Sequence, residues 1–434
     1  MVMEMVEMMI ETILKVLQEN KIQTWLMEEI HTEKAELFFV KKELDMRRFE
    51  NVQMVTVYVY CDFEKDGVRY LGNASFIAEP SATEQELQEK CKGAYAAASF
   101  VPNPFYEIAS EVKQECVTME SDLAELSLEA AAGKVAEAIY AGDCEEKSFV
   151  NSAEVFVERI EKHILNSRGV DVSYVKYKIN GEFVAQCKEL QDVEMYSDFS
   201  YDCLQTEALT EQVRETLQLV RDRTAARVAP KTGTYDMVLA GKYAAAIFEY
   251  YAARSNGGYI YQGYSDYKPG EFVQGKREEV KGQLLNLTYV PTEPFSVEGV
   301  PMKELSCIRN GVFENIQAGA RFVYYLGTEA TGNYTKLACE PGVMPFDEMK
   351  KRKGLYVVNF SDFQMDPFNG CYGGEIRLAY LNDGKNIIPV TGGSVNGNIY
   401  DAQKDFVFSK ETQDISTFTG PKAVLLKNVS VAGA

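Results

Sequence analysis

Histidine is almost missing from this 434-residue chain, which has only His31 and His163. Two imidazoles leave little room for histidine-based acid–base or metal chemistry. His31 stands among Glu28, Glu29, Thr32 and Glu33, and His163 lies in Glu161-Lys-His-Ile, so both are expected at solvated surfaces, His163 on an amphipathic helix. Positive charge is also short, with 45 Lys and Arg against 65 Asp and Glu, a net charge of −20. Nucleic-acid affinity depends on cations that displace counterions, so this balance argues against direct DNA or RNA binding and against an anionic membrane surface. No run approaches the about 20 apolar residues of a membrane span. The opening MVMEMVEMMIETILKVLQEN carries Glu4, Glu7 and Glu11 and no early Lys or Arg, unlike a secretory signal. The nine cysteines are odd in number, scattered and without a C-x-x-C, which suits reduced thiols in a cytoplasmic protein and offers no zinc spacing.

What is present is an ordinary globular balance, 46% hydrophobic and 25% charged, in a chain long enough for two domains. Val2, Met5, Val6, Met9, Ile10, Ile13, Leu14 and Leu17 recur at helical spacing and predict an opening helix. Strands are expected at 35–41, 52–61 and 68–77, the last two joined across Lys65-Asp66-Gly67. Ser81-Ala-Thr-Glu84 reads as a capping box for a helix to about Ser99. The order then repeats: a helix capped by Asn151-Ser-Ala-Glu154 and running to Asn166, strands at 172–179 and 182–190 turning at Asn180-Gly181, a stretch 195–203, and a helix 207–227. The expected class is therefore α+β, with residues 1–227 an N-terminal helix–strand–helix domain that carries an internal duplication of architecture. From Arg227-Val-Ala-Pro-Lys-Thr-Gly233 onward the composition turns to short segments dense in Gly, Tyr and Asn. Residues 228–434 are expected to form a mostly antiparallel β domain with few helices.

Motif by motif, little chemistry stands out. Gly270-Glu-Phe-Val-Gln-Gly275-Lys276 has phosphate-loop spacing, but Arg277 replaces the magnesium-holding hydroxyl and no apolar strand precedes it. The stretches 369–374 and 391–397 are Gly-rich without dinucleotide spacing and read as loops. Cys371 sits in a site-like Gly-rich setting, yet no base or depressed pKa is evident, so an unreactive thiol is expected. Tyr250, Tyr251, Tyr259, Tyr261, Tyr264 and Tyr267 cluster densely; core packing competes with a peptide or subunit contact, for which Tyr251, Tyr259, Tyr261 and Tyr264 are the candidates.

At the boundary a resemblance emerges. Gly233-Thr-Tyr-Asp-Met-Val-Leu239, Gly257-Gly-Tyr-Ile-Tyr-Gln-Gly263, Phe295-Ser-Val-Glu-Gly-Val-Pro301, Gly311-Val-Phe-Glu-Asn315 and Val429-Ser-Val-Ala-Gly433 resemble, in order, the TldD/PmbA family, whose members carry the name modulator of DNA gyrase. The resemblance implies a metallopeptidase-like protein: TldD-type subunits are zinc proteases with H-E-x-x-x-H on the helix after this strand and a late cysteine ligand. That motif falls on Phe248-Glu-Tyr-Tyr-Ala-Ala253, so both ligand positions are lost, as Phe248 and Ala253, while Glu249 matches the general base. No cysteine follows Cys371, and a third ligand would have to come from about 414–419. Ligands five residues apart are about 140° apart on a straight helix, so such a site also needs a distorted one. The pattern is that of the TldE branch. It implies a pseudo-enzyme subunit, inactive alone and without a cofactor, zinc residing only in a TldD-type partner. Such a dimer, with that partner or with itself, would degrade or mature small unfolded peptides in the cytoplasm. A hydrolase using Glu249 and a distant Asp, and a homodimeric peptide-binding protein, are the alternatives.

Overall fold

The computed structural model describes residues 2–144 and 146–434, excepting the side chains of 2–8. The first half is two consecutive α–β–β–β–α units on one seven-stranded sheet. The first unit comprises α1 (Val2–Glu19), β1 (Thr24–Val40), β2 (Glu43–Lys65), β3 (Val68–Ala78) and α2 (Glu84–Ala98). After an edge strand, β4 (Lys113–Thr118), come α3 (Leu128–Gly142), β5 (Ser148–Asn166), β6 (Asp171–Cys187), β7 (Val193–Tyr201) and α4 (Thr206–Ala225). The run β3-β2-β1-β5-β6 is antiparallel, with β4 and β7 dividing the far edge of β6 between them. The helices cover one face, α1 and α2 over Met27, Val55 and Val57, and α3 and α4 over Ala35, Val155, Val157 and Ile179. Met9, Ile13 and Leu17 anchor α1 as its spacing predicts; the side chains of Val2, Met5 and Val6 lie outside the described set.

The duplicated order is present, but its second copy is built from different residues than the sequence suggests. Residues 151–166, expected as a helix, belong to β5, so His163 is on a strand. Val157, Ile160 and Ile164 carry helical spacing while Val155 and Val157 alternate as on a strand face, and their β-branching suits the pleated surface. The opening helix of this unit is the Ala-rich α3, which the sequence reading missed. Asn180-Gly181 makes no turn, and β6 runs straight through it. A Cβ on Gly181 would come 2.3 Å from the Phe199 ring and 2.5 Å from the Glu154 carbonyl, so this glycine serves close packing. The capping box at α2 also lies two residues later than predicted: Thr83 Oγ1 accepts from the Glu86 amide at 3.3 Å, and Glu86 accepts from the Thr83 amide at 2.8 Å.

After α4 the chain leaves this sheet. It continues as β8 (Gly233–Ala240), α5 (Lys242–Arg254), α6 (Gly257–Tyr261), β9 (Leu287–Val290), β10 (Leu305–Arg309), β11 (Val312–Phe313), α7 (Ala320–Leu326) and β12 (Lys336–Cys339). Then follow α8 (Phe346–Lys350), β13 (Gly354–Met365), β14 (Cys371–Asn382), β15 (Ile387–Val390), β16 (Ser394–Asn398), α9 (Ile399–Ala402), β17 (Val407–Phe408), β18 (Thr412–Ile415), β19 (Phe418–Pro421) and β20 (Ala423–Ala432). One sheet has the order β11-β10-β9-β12-β19-β18; the other runs β13-β8-β20-β16-β14-β15 and closes on itself through β13–β14. Pairing here is antiparallel except at β12–β19 and β8–β13, the mostly antiparallel architecture expected. The two Gly-rich stretches expected as loops lie largely in β14 and β16, with a bend at Gly392 and Gly393, whose φ values are 86° and 81°. Between the two sheets lies α5, sharing one core with Leu337 and Phe418 on one side and Leu239, Val357 and Ile376 on the other.

The halves meet through charges and rings. Lys162 of β5 lies 3.5 Å from Glu293 and 3.4 Å from Glu28, and Lys176 of β6 also pairs with Glu293. Burial opposes the charge on Glu293, yet the two lysines outweigh it and hold the carboxyl below its ordinary value. Nearby, the Tyr325 hydroxyl donates to the Pro104 carbonyl at 2.5 Å, and Arg321 donates to Asn103 at 2.9 Å.

Candidate functional site

Helix α5 begins after Gly241, whose φ of 60° turns the chain out of β8. Its Ala244, Ala245 and Ala252 keep the cylinder slim enough to sit between two sheets. The Phe248 ring, fully buried, stacks on Phe418 at 5.0 Å with an interplanar angle of 7°, and meets Phe408 edge-on at 5.0 Å. At the position where the family resemblance expects the first zinc ligand there is therefore a dry aromatic cluster. Ala253 offers no donor atom. The helix is regular from Lys242 to Arg254, so positions 248 and 253 diverge rather than converge. Among the described residues no group of three or more His, Cys, Asp or Glu could hold a metal ion. The residues present do not fit zinc.

Glu249 is the one part of the motif that keeps its chemistry. It accepts a hydrogen bond from Thr417 Oγ1 at 2.6 Å, and burial pushes its carboxyl above the ordinary range while that bond pulls the other way. Thr417 falls within 414–419, the segment from which the resemblance would require a third ligand, and it supplies a hydroxyl. Phe408 and Phe418, which fill the ligand's place, carry no signal in the sequence beyond apolar character. They were missed.

The tyrosines separate into two groups. Tyr251 is fully buried and donates to Gln403 at 2.8 Å, so it is a core residue and is withdrawn from the contact candidates. Tyr250, also buried, donates to Tyr400 at 3.1 Å, and Tyr267 packs on Phe313. The remaining candidates are at the surface in two places. Tyr259 and Tyr264 form an aromatic group with Phe368, held from beneath by Arg254, which donates to the Tyr264 carbonyl at 2.6 Å. Tyr261 lies against Phe322 and Tyr325, beside the junction with the first half.

Neither histidine is free. His31 lies 2.9 Å from Asn51 Oδ1, and His163 lies 2.8 Å from Asp171 and 3.6 Å from Glu29, tying β5 to β6 and β1. Burial works against the charge of His163, but the two carboxylates outweigh it and raise its pKa. All nine cysteines are free thiols. Cys371, exposed, accepts a 3.4 Å contact from Asn398 Nδ2, and no base stands at it. Burial pushes the Cys307 thiol up to about 12. The phosphate-loop lookalike buries Gln274 against the carbonyls of Gln283 and Gln403, both at 2.8 Å, and leads into a single 3-10 turn, Arg277–Glu279, not a helix. A cleft of about 280 Å³ on the six-stranded sheet, lined by Asn286, Ser306, Arg309 and Glu340, includes no residue of α5. No helix among the described residues is long and apolar enough to cross a membrane.

Comparison with known proteins places this geometry. Residues 232–433 match the PmbA/TldA metallopeptidase C-terminal domain, the class to which the α5 region corresponds. The whole fold resembles a Thermotoga maritima protein named as a DNA gyrase modulator, at 17% identity and a TM-score of 0.76, covering 98% of this chain and 100% of the other. It also resembles TldE from Thermococcus kodakarensis, at 18% identity and a TM-score of 0.73 over 96% and 100% of the two chains. A gyrase-modulator relative from Bacteroides thetaiotaomicron gives 15% and 0.74 over 97% of each. No curated protein matches in sequence. Residues 232–433 thus carry this family's C-terminal domain, and the whole chain shares the fold of these solved structures.

Proposed function

We propose that this chain is a non-catalytic, TldE-like subunit that pairs with a TldD-type metalloprotease acting on small unfolded peptides in the cytoplasm. One observation carries the reading: Phe248, at the first ligand position, is locked between Phe408 and Phe418, while the partner of Glu249 is a threonine hydroxyl. A carboxylate without a metal cannot turn water into hydroxide at neutral pH. The surface aromatics Tyr259, Tyr261 and Tyr264 are offered as the contact side chains, since rings of this kind dominate binding interfaces. The test is metal analysis of the purified chain together with peptide cleavage, alone and with a TldD-type subunit. The reading expects no stoichiometric zinc and no chelator-sensitive cleavage alone. About one zinc per chain, or cleavage by the pure chain, would overturn it.

A further inference from the structure

The two units of the first sheet differ at one edge. In the second unit, the half of β6 at Asp171–Val175 is covered by β4. The matching half of β2 has β1 on one side, while β3 reaches only from Val55 to Lys65. Among the described residues no strand pairs with β2 before Val55 on its outer side. Met46, Phe49 and Val52 are 45%, 51% and 53% exposed there. A bare, partly apolar strand edge is a template for another strand, and proteins usually shield it with charge or a bulge. The charge here is of mixed sign, so it can pair across an edge as well as repel one. Between Lys41 and Met54 the chain has four cations and three anions, nearly neutral in a chain of net −20. The register shift near Phe38 and Phe39 leaves Asp45 unopposed, so a bulge ends the regular edge just before Met46.

The segment Met46-Arg-Arg-Phe-Glu-Asn-Val52 is complementary to itself when reversed. We propose that two copies of this chain pair antiparallel along this edge, with Phe49 against Phe49. Met46 then faces Val52, Arg48 faces Glu50 and Arg47 faces Asn51, and each pairing occurs twice. Directly opposed aromatic, apolar and opposite-charge pairs are the units that stabilise an antiparallel ladder. Within one chain Arg48 pairs with the buried Glu36 and lies 3.1 Å from Glu50, so a cross-edge contact with the partner's Glu50 would add to an existing charge cluster. Seven residues give a contact about 24 Å long at about 3.4 Å per residue, joining two seven-stranded sheets into one. This edge is far in sequence from the second-half aromatics and does not depend on the subunit role proposed above.

The test uses the full chain and two double variants at exposed positions. Met46→Glu with Val52→Glu places carboxylates opposite each other, and Met46→Lys with Val52→Lys places ammonium groups opposite each other. Sedimentation velocity across the micromolar range should show a concentration-dependent dimer for the wild type. Each variant alone should dimerise at least about tenfold more weakly, and an equimolar mixture should recover, because every Glu then faces a Lys. Amide exchange at residues 46–52 should slow as the wild-type dimer forms. A wild type that stays monomeric, a dimer that both variants leave intact, or a mixture no better than its parts would overturn the proposal.

Discussion

The neighbourhood of α5 and the middle of the first sheet handle reactive side chains in opposite ways. Around α5, the place where the family resemblance expects a metal site is filled by carbon: Phe248, Phe408 and Phe418 pack face and edge. In the sheet and at the junction, charges are retained and matched, Lys162 and Lys176 to Glu293, and His163 to Glu29 and Asp171. Aromatic packing fixes a structure and removes an option for chemistry. Paired charges on strand edges and seams hold parts together while remaining responsive to pH and partners.

The largest expected effect lies in the aromatic region. Phe248→Ala should lose about 3–5 kcal/mol in denaturant unfolding, since it empties a dry cluster; a loss under about 1 kcal/mol would mean the site is looser than described. Phe248→His with Ala253→His should still fail to bind stoichiometric zinc, because the two imidazoles diverge on a regular helix. Tight zinc binding by that variant would show that α5 can deform. At the junction, Glu293→Ala leaves Lys176 without its carboxylate and Lys162 with Glu28 alone, and should cost about 1–2 kcal/mol, reduced from a fully buried pair by partial exposure. An unchanged unfolding midpoint would break the comparison. The smallest effect concerns His163, whose folded-state pKa lies above its unfolded value near 6.5. Its contribution is therefore complete at lower pH and is lost as pH rises through the folded pKa, and His163→Gln should flatten that decline. An identical pH–stability slope in wild type and variant would remove the paired histidine from the account.

The mostly antiparallel character of the second half was legible in the sequence because its composition turns after 227–233 to short segments dense in Gly, Tyr and Asn. The loss of zinc ligands was equally legible, since it needs only residue identities at Phe248 and Ala253. What filled their place was not, because Phe408 and Phe418 approach α5 from strands more than 150 positions away. In the first half, β5 carries helical spacing at Val157, Ile160 and Ile164 and alternation at Val155 and Val157, and only its long pairing with β1 and β6 decides for strand. Asn180-Gly181 misled for a related reason. A glycine demanded by close packing across three strands looks, in sequence, like a glycine demanded by a turn.

The central claim, that this chain contributes no catalytic group of its own, is tested most directly by Glu249→Gln within a reconstituted complex with a TldD-type subunit. The account predicts an unchanged rate of peptide cleavage, with zinc content following the partner alone. A loss of cleavage in an intact, fully assembled Glu249→Gln complex would contradict it and return Glu249 to the chemistry.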